Sequence, residues 1–79
     1  MTATDSPDAL RAEIEDLDRQ IAELKQQAAE ARRRIGQQWD APTDQAEIAT
    51  GLQLAEEAEA FIRALEDRRE RLAERLGAR

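Results

Sequence analysis

The chain has neither cysteine nor histidine, and aromatic residues fill only 3% of its 79 positions. Without cysteine it can form neither a disulfide framework nor a thiolate metal site, which fits a reducing cytoplasm. Without histidine it cannot supply the Glu-x-x-His pairs of carboxylate metal bundles. Neither Cys nor His can therefore serve as nucleophile or base in a catalytic triad, and Ser6, the only serine, is better explained as a helix cap. We therefore expect no metal and no cofactor.

Positive charge and long apolar runs are also scarce. Lys and Arg number 12 against 18 Asp and Glu, for a formal net charge of −6. Nucleic-acid binding requires a basic surface, so we expect none. No apolar run approaches the roughly 20 residues of a membrane span, and the polar N-terminus is unlike a signal peptide. The sequence predicts a cytoplasmic protein that binds neither nucleic acid nor membrane.

Three Gly and two Pro leave few places to turn. Ser6 and Pro7 suit the N-cap and the first position of a helix. The only other plausible break in the helical pattern runs from Gly36 to Thr43 and contains Pro42. The first helix could nevertheless continue past Gly36. The predicted organisation is a flexible tail over 1–5 and one domain over 6–79, with a helix over 7–38, a turn over 39–43 and a helix over 44–76.

Apolar residues recur at alternating spacings of four and three along both predicted helices, which puts each set on one stripe. A short turn makes the two helices antiparallel neighbours, so the predicted fold is an all-α two-helix hairpin. The first stripe is Leu10, Ile14, Leu17, Ile21, Leu24, Ala28, Ala31 and Ile35. The second is Ile48, Gly51, Ala55, Ala58, Ile62, Leu65, Arg69, Leu72 and Leu76.

Folding the chain about position 41 predicts which residues of the two stripes meet. Ile21 then faces Ile62, and Ala31 faces Gly51, where the backbones could approach closely. Arg69 is the one charged residue on a stripe. We interpret it as an arginine whose stem packs while its head reaches a carboxylate of the first helix, where Glu13, Asp16 and Asp18 are nearby; the alternative is an inward cation awaiting an anion.

The apolar face of the second helix is wider than one seam. Leu52, Leu54 and Phe61 lie beside the stripe, and a lone hairpin cannot cover them. We therefore expect a homodimer that forms a four-helix bundle, with a larger oligomer or a partner protein as alternatives. The predicted interface residues are Leu52, Leu54, Phe61, Leu65 and Trp39. For Trp39, which lies at the predicted corner, we favour a role in plugging the end of the bundle; the alternative is an anchor for a binding partner.

Three consecutive arginines, at positions 32–34, precede the predicted turn. Cations near a helix C-terminus suit its negative end, and this is the interpretation we favour. The alternative is a phosphate-binding patch.

The first helix resembles the opening helix of the all-helical chorismate mutases, whose pattern is Leu-Arg-x-x-Ile-x-x-Leu-Asp-x-x-Ile/Leu-x-x-Leu. The matching residues are Leu10, Arg11, Ile14, Leu17, Asp18, Ile21 and Leu24, and Ile35 and Gly36 match a later pair. The resemblance covers about a third of the chain and implies an intertwined dimer in which Arg11 binds a carboxylate of chorismate. Ala28 stands where the family has a second cation, a third family cation falls on or near Trp39, and we expect no third helix. A second resemblance, to small secreted actinobacterial hairpins, has only Trp39 at the turn and lacks their Trp-x-Gly.

Two functions remain open. The first is a non-enzymatic interaction or regulatory protein that homodimerises and binds a protein partner through its helices. The second is a degenerate or weakly active chorismate mutase-like protein that binds an anionic metabolite through Arg11.

Overall fold

The chain forms two long antiparallel helices that pack side by side. The computed structural model describes residues 6–39 and 45–77, and the side chains of residues 38 and 39 are outside that description. Helix α1 spans Pro7–Trp39 and helix α2 spans Gln45–Gly77. The predicted two-helix hairpin is therefore confirmed. The predicted tail over 1–5 lies outside the described residues. The predicted turn over 39–43 lies outside them too, except for Trp39, which is the last residue of α1.

The sequence signals at the start of α1 act as expected. Ser6 Oγ accepts a hydrogen bond from the backbone N–H of Ala9 at 3.1 Å, and its carbonyl accepts one from Leu10 at 3.0 Å. Ser6 is thus the N-cap, with Pro7 in the first helical position and Asp8 near the positive end of the helix dipole.

The arginines at 32–34 do not lie at the C-terminus of α1, contrary to the interpretation we favoured from the sequence. The helix passes through Gly36 and ends at Trp39, so its last turn contains no basic residue. The arginines at 32–34 therefore lie too far from the C-terminus to interact with the last carbonyls, because this effect fades beyond the final turn. In α2, Arg75 does lie in the last turn.

The seam between the helices is apolar, and no charged or polar residue is buried among the described residues. The end of the hairpin where α1 begins and α2 ends is called the open end. One cluster there joins Leu10, Leu17 and Leu72, with Ile14, Leu65 and Leu76 packed against it. The buried residues are Leu10, Leu17, Ile21, Ala28, Ile35, Ile48, Ala55, Ile62 and Leu72. Each of them belongs to one of the two predicted stripes.

The register of the helices corrects the sequence-based pairing. A Cβ atom built on Gly51 would lie 3.3 Å from Cγ1 of Ile35, and no atom of Ala31 comes within 4 Å of it. Ile35, one turn later than predicted, therefore covers Gly51. The absent side chain leaves room for a large branched residue to lie against the α2 backbone.

Two glycines in helix interiors give a matched test of this contact. Gly36→Ala should raise the free energy of unfolding by about 0.5–1 kcal/mol, because alanine favours the helix and no atom of the described residues crowds the added Cβ within 4 Å. Gly51→Ala should gain less, because Ile35 must move to admit the methyl group. Urea unfolding at fixed protein concentration measures both. Equal gains would contradict the packing of Ile35 on Gly51.

Candidate interaction surface

One side of the seam is lined by cross-helix ion pairs. Lys25 Nζ lies 3.3 Å from Glu66 Oε2. Arg32 forms a bidentate pair with Glu59, with Nε 3.0 Å from Oε2. The two cations are seven residues apart on α1 and the two carboxylates seven apart on α2, so both pairs lie on the same side. We call this side the charged flank; it consists of Asp18, Lys25, Arg32, Glu59, Glu66 and Arg69.

The arginine on the α2 stripe also ends on this flank. Arg69 Nε lies 2.5 Å from Asp18 Oδ1, and Nη2 lies 3.4 Å from Oδ2. The hydrogen bonds and charge of Asp18 raise the pKa of Arg69. Arg69 therefore reaches a carboxylate of α1, as predicted, and is not a cation awaiting a ligand.

The Arg32 pair makes the charged flank sensitive to acid. The hydrogen bond from Arg32 lowers the pKa of Glu59 from its ordinary 4.5, more than partial desolvation raises it. A carboxyl group with a depressed folded-state pKa stabilises the fold fully above its unfolded pKa. The contribution is lost as the pH falls below about 4.5 and through the folded pKa. Because the pair is solvent-exposed, its effect on stability is small.

The other side of the seam is uncharged along its middle. Here Leu54 and Phe61 are 58% and 60% exposed, the largest apolar side chains left open to solvent among the described residues. They are seven residues apart, on the same line as Arg68. Arg68 Nη2 lies 3.9 Å from Glu13 Oε1 of α1, which fixes the side of α1 that they adjoin. We call this side the apolar flank; its middle consists of Gln20, Leu24, Gln27, Leu54, Ala58, Phe61 and Leu65.

A shallow groove shows that both helices contribute to the apolar flank. Its lining includes Leu17 and Gln20 from α1, and Leu65 from α2, with Glu13 and Arg68 at its end. The half-buried stripe residues Leu24, Ala58 and Leu65 continue this surface toward the seam. The hairpin thus covers only part of its own apolar surface.

The predicted interface residues fall into three groups. Leu54 and Phe61 are on the apolar flank, with Leu65 at its edge, half-buried and packed against the core cluster. Leu52 is half-buried and lies seven residues before Glu59, which places it on the charged flank. The side chain of Trp39 lies outside the described residues. The sequence contained the signal that separates Leu52 from Leu54, since their spacing of two residues puts them on opposite edges of the stripe.

Arg11, the candidate anion-binding residue, borders an apolar groove at the open end of the hairpin. The groove also contains Arg69, with Ile14, Ala73 and Leu76 among its lining residues. Arg11 Nη1 lies 3.3 Å from Asp8 Oδ1. Both cations that border the groove therefore already face carboxylates.

Within the described residues, no group of three or more potential ligands could hold a metal ion. Neither described helix combines the length and apolar character of a membrane span. No protein-family model, curated protein or solved structure matches the chain.

Proposed function

We propose that this protein is a non-enzymatic interaction module that works as a homodimer. The observation that carries the proposal is the apolar flank, on which Leu54 and Phe61 are more than half exposed beside half-buried Leu24 and Leu65. Burial of such side chains from water is favourable by about 1.5–3 kcal/mol each when complete. A second hairpin laid over this flank would complete a four-helix bundle core that two helices alone leave open.

The dimer would leave the charged flank free for a protein partner. Its side chains are opposite in sign across the seam, with Lys25 and Arg32 on α1 facing Glu66 and Glu59 on α2. The order is reversed in the Asp18–Arg69 pair. A partner helix of matching charge pattern could exchange these pairs, which sets orientation and selectivity more than affinity. The mechanism we propose is therefore helix-to-helix recognition, with one flank used for self-association and the other for the partner.

Thermal unfolding tests the self-association. If folding and dimerisation are coupled, the melting temperature of the wild-type chain should rise over a hundredfold increase in protein concentration. A melting temperature independent of concentration would contradict the proposal.

The alternative is a chorismate mutase-like protein, and one observation favours it: Arg11 and Arg69 border the same groove. It is tested by loss of chorismate absorbance. Turnover by the wild-type chain that Arg11→Ala abolishes would support the alternative and contradict a purely non-enzymatic function. With Arg11 and Arg69 both paired to carboxylates, we expect no turnover.

A further inference from the structure

The charged flank carries two grooves that use the same pattern of α1 residues. The middle groove has a volume of about 530 Å³, and its α1 wall consists of Lys25, Ala28, Ala29 and Arg32. The open-end groove has a volume of about 420 Å³, and its α1 wall consists of Arg11, Ile14 and Glu15. Each residue of the second wall stands two heptads before a residue of the first. The two grooves are therefore repeats of one surface along one side of α1.

The wall of the middle groove has the form of a coiled-coil hole. Such a hole is made by four neighbouring residues of one helix and receives a side chain of the next. Lys25 and Arg32 form its two ends, and Ala28 and Ala29 form its centre. Because alanine ends at Cβ, the centre is open, and Ile62 of α2 adds apolar surface beside it. An apolar side chain of a third helix would fit between the two cations.

The open-end groove offers a second hole in line with the first. Ile14, Ala73 and Leu76 line it and are half-buried, so apolar surface remains exposed there. At 1.5 Å per residue, two heptads place the two holes about 21 Å apart along α1. The Asp18–Arg69 pair crosses the seam between them. A helix lying along this flank would therefore present side chains two heptads apart to both holes.

The middle groove has more positive than negative side chains. Lys25 is paired with Glu66, and Arg32 is paired with Glu59. Arg63 also lines the groove and forms no ion pair among the described residues. It lies one turn from Glu59, and its charge contributes to the lowered pKa of that carboxyl group. Arg63 is therefore the cation that remains for a carboxylate of a ligand.

We propose that the charged flank binds an amphipathic helix of a second protein, and that this helix is acidic beside its apolar row. The inference rests on the proposed use of this flank for a protein partner. Two apolar side chains, two heptads apart, enter the two grooves. An Asp or Glu beside one of them binds Arg63 in the middle groove. At the open-end groove Arg11 and Arg69 already face carboxylates, so no further anion is needed there.

The charge of the groove and the charge of the whole chain predict opposite partners. The chain has a net charge of −6, which attracts basic helices over long range. Arg63 instead lies at the point of contact, where a charge-assisted hydrogen bond is stronger and less screened than long-range attraction. The preference for an acidic or a basic helix therefore distinguishes binding in the groove from general attraction.

Two capped peptides of three heptads test this preference. Both carry two Leu residues two heptads apart, with Ala midway between them. The acidic peptide has Glu on both sides of this row, and the basic peptide has Lys at the same positions. Fluorescence anisotropy measures binding in about 0.15 M salt, where exposed charges more than about 8 Å apart are largely screened. The acidic peptide should bind about tenfold more tightly than the basic peptide.

Two variants with matched controls test the place of binding. Ala29→Leu fills the middle groove and should weaken binding of the acidic peptide about tenfold; Ala12→Leu, at an exposed position outside both grooves, is its control. Arg63→Ala breaks no ion pair of the hairpin and should weaken binding about fivefold. Arg33→Ala removes the same charge from an exposed position outside both grooves. Both controls should bind within about twofold of the unmodified chain, and circular dichroism checks that all variants remain helical.

The outcomes separate this inference from the proposed homodimer. If neither peptide binds, or if Arg63→Ala and Arg33→Ala cause equal losses, the inference is wrong. Binding of the basic peptide that Ala29→Leu abolishes would keep this flank as the site of a partner and overturn the acidic helix. If Ala29→Leu instead dissociates the chain from itself, the occupant is a second copy and the inference is overturned. A dimeric mass without peptide binding leaves the homodimer intact, whereas a monomer that binds the acidic peptide as described contradicts only the homodimer.

Discussion

Phe61→Glu is expected to raise the dissociation constant of the dimer about a thousandfold, which corresponds to about 4 kcal/mol. The substitution removes an aromatic side chain that the second copy would cover and puts a carboxylate in its place. A two-fold axis doubles the effect, because each dimer contains two copies of the residue. Loss of about 2 kcal/mol of apolar burial per copy already accounts for this change. Sedimentation equilibrium over a concentration series measures it.

The control for Phe61→Glu is Ala60→Glu. It introduces the same charge one residue earlier on α2, at an exposed position away from both flanks. It should leave the dissociation constant within about threefold of wild type, as is usual for surface substitutions that change stability by less than 0.5 kcal/mol. Circular dichroism of both variants distinguishes loss of association from loss of helix. An unchanged mass for Phe61→Glu would place Phe61 outside the interface.

Leu10→Ala is expected to lower the free energy of unfolding by about 3 kcal/mol, the middle of the range for a large core residue replaced by alanine. Leu10 is 0% exposed and belongs to the cluster with Leu17 and Leu72 that closes the open end of the hairpin. The helices join only at the opposite end, so this end depends on side-chain contacts between them, of which the buried cluster is the apolar part. Urea unfolding at one protein concentration, with wild type alongside, measures the loss.

Leu10→Met is the conservative control, because it keeps the buried volume and should cost less than about 1.5 kcal/mol. Leu54→Ala provides a second comparison, since Leu54 is 58% exposed in the hairpin. Its effect should depend on protein concentration, because Leu54 contributes through association. A loss below about 1 kcal/mol for Leu10→Ala would contradict the buried cluster at the open end, given the usual cost of a cavity.

The hairpin could be predicted because both helices repeat one pattern with almost nothing to interrupt it. The period of 3.5 residues fixed which face of each helix turns inward, and Ser6 and Pro7 fixed where α1 begins. The pairing of Arg69 with a carboxylate of α1 followed from the same reasoning, since a charged residue on an apolar stripe must extend its head to the edge. The structure identifies that carboxylate as Asp18, where the sequence left Glu13 and Asp16 equally open.

The register could not be predicted in the same way. A shift of one helical turn keeps both apolar faces in contact, so the stripes alone do not choose between Ala31 and Ile35 as the residue that covers Gly51. The choice is made by features of long range: the length of α1 beyond Gly36, and cross-helix pairs such as Arg32–Glu59. The division into two flanks depends on these pairs as well. It became visible only once the ion pairs had marked which edge of the seam is charged.

The solution mass of the unmodified chain tests the central claim most directly. Sedimentation equilibrium in the micromolar range should give twice the chain mass of 8.9 kDa, with dissociation only on dilution. Phe61→Glu, run beside it, should give the single-chain mass. A wild-type chain that remains fully helical at the mass of one chain across the whole concentration range would contradict the account.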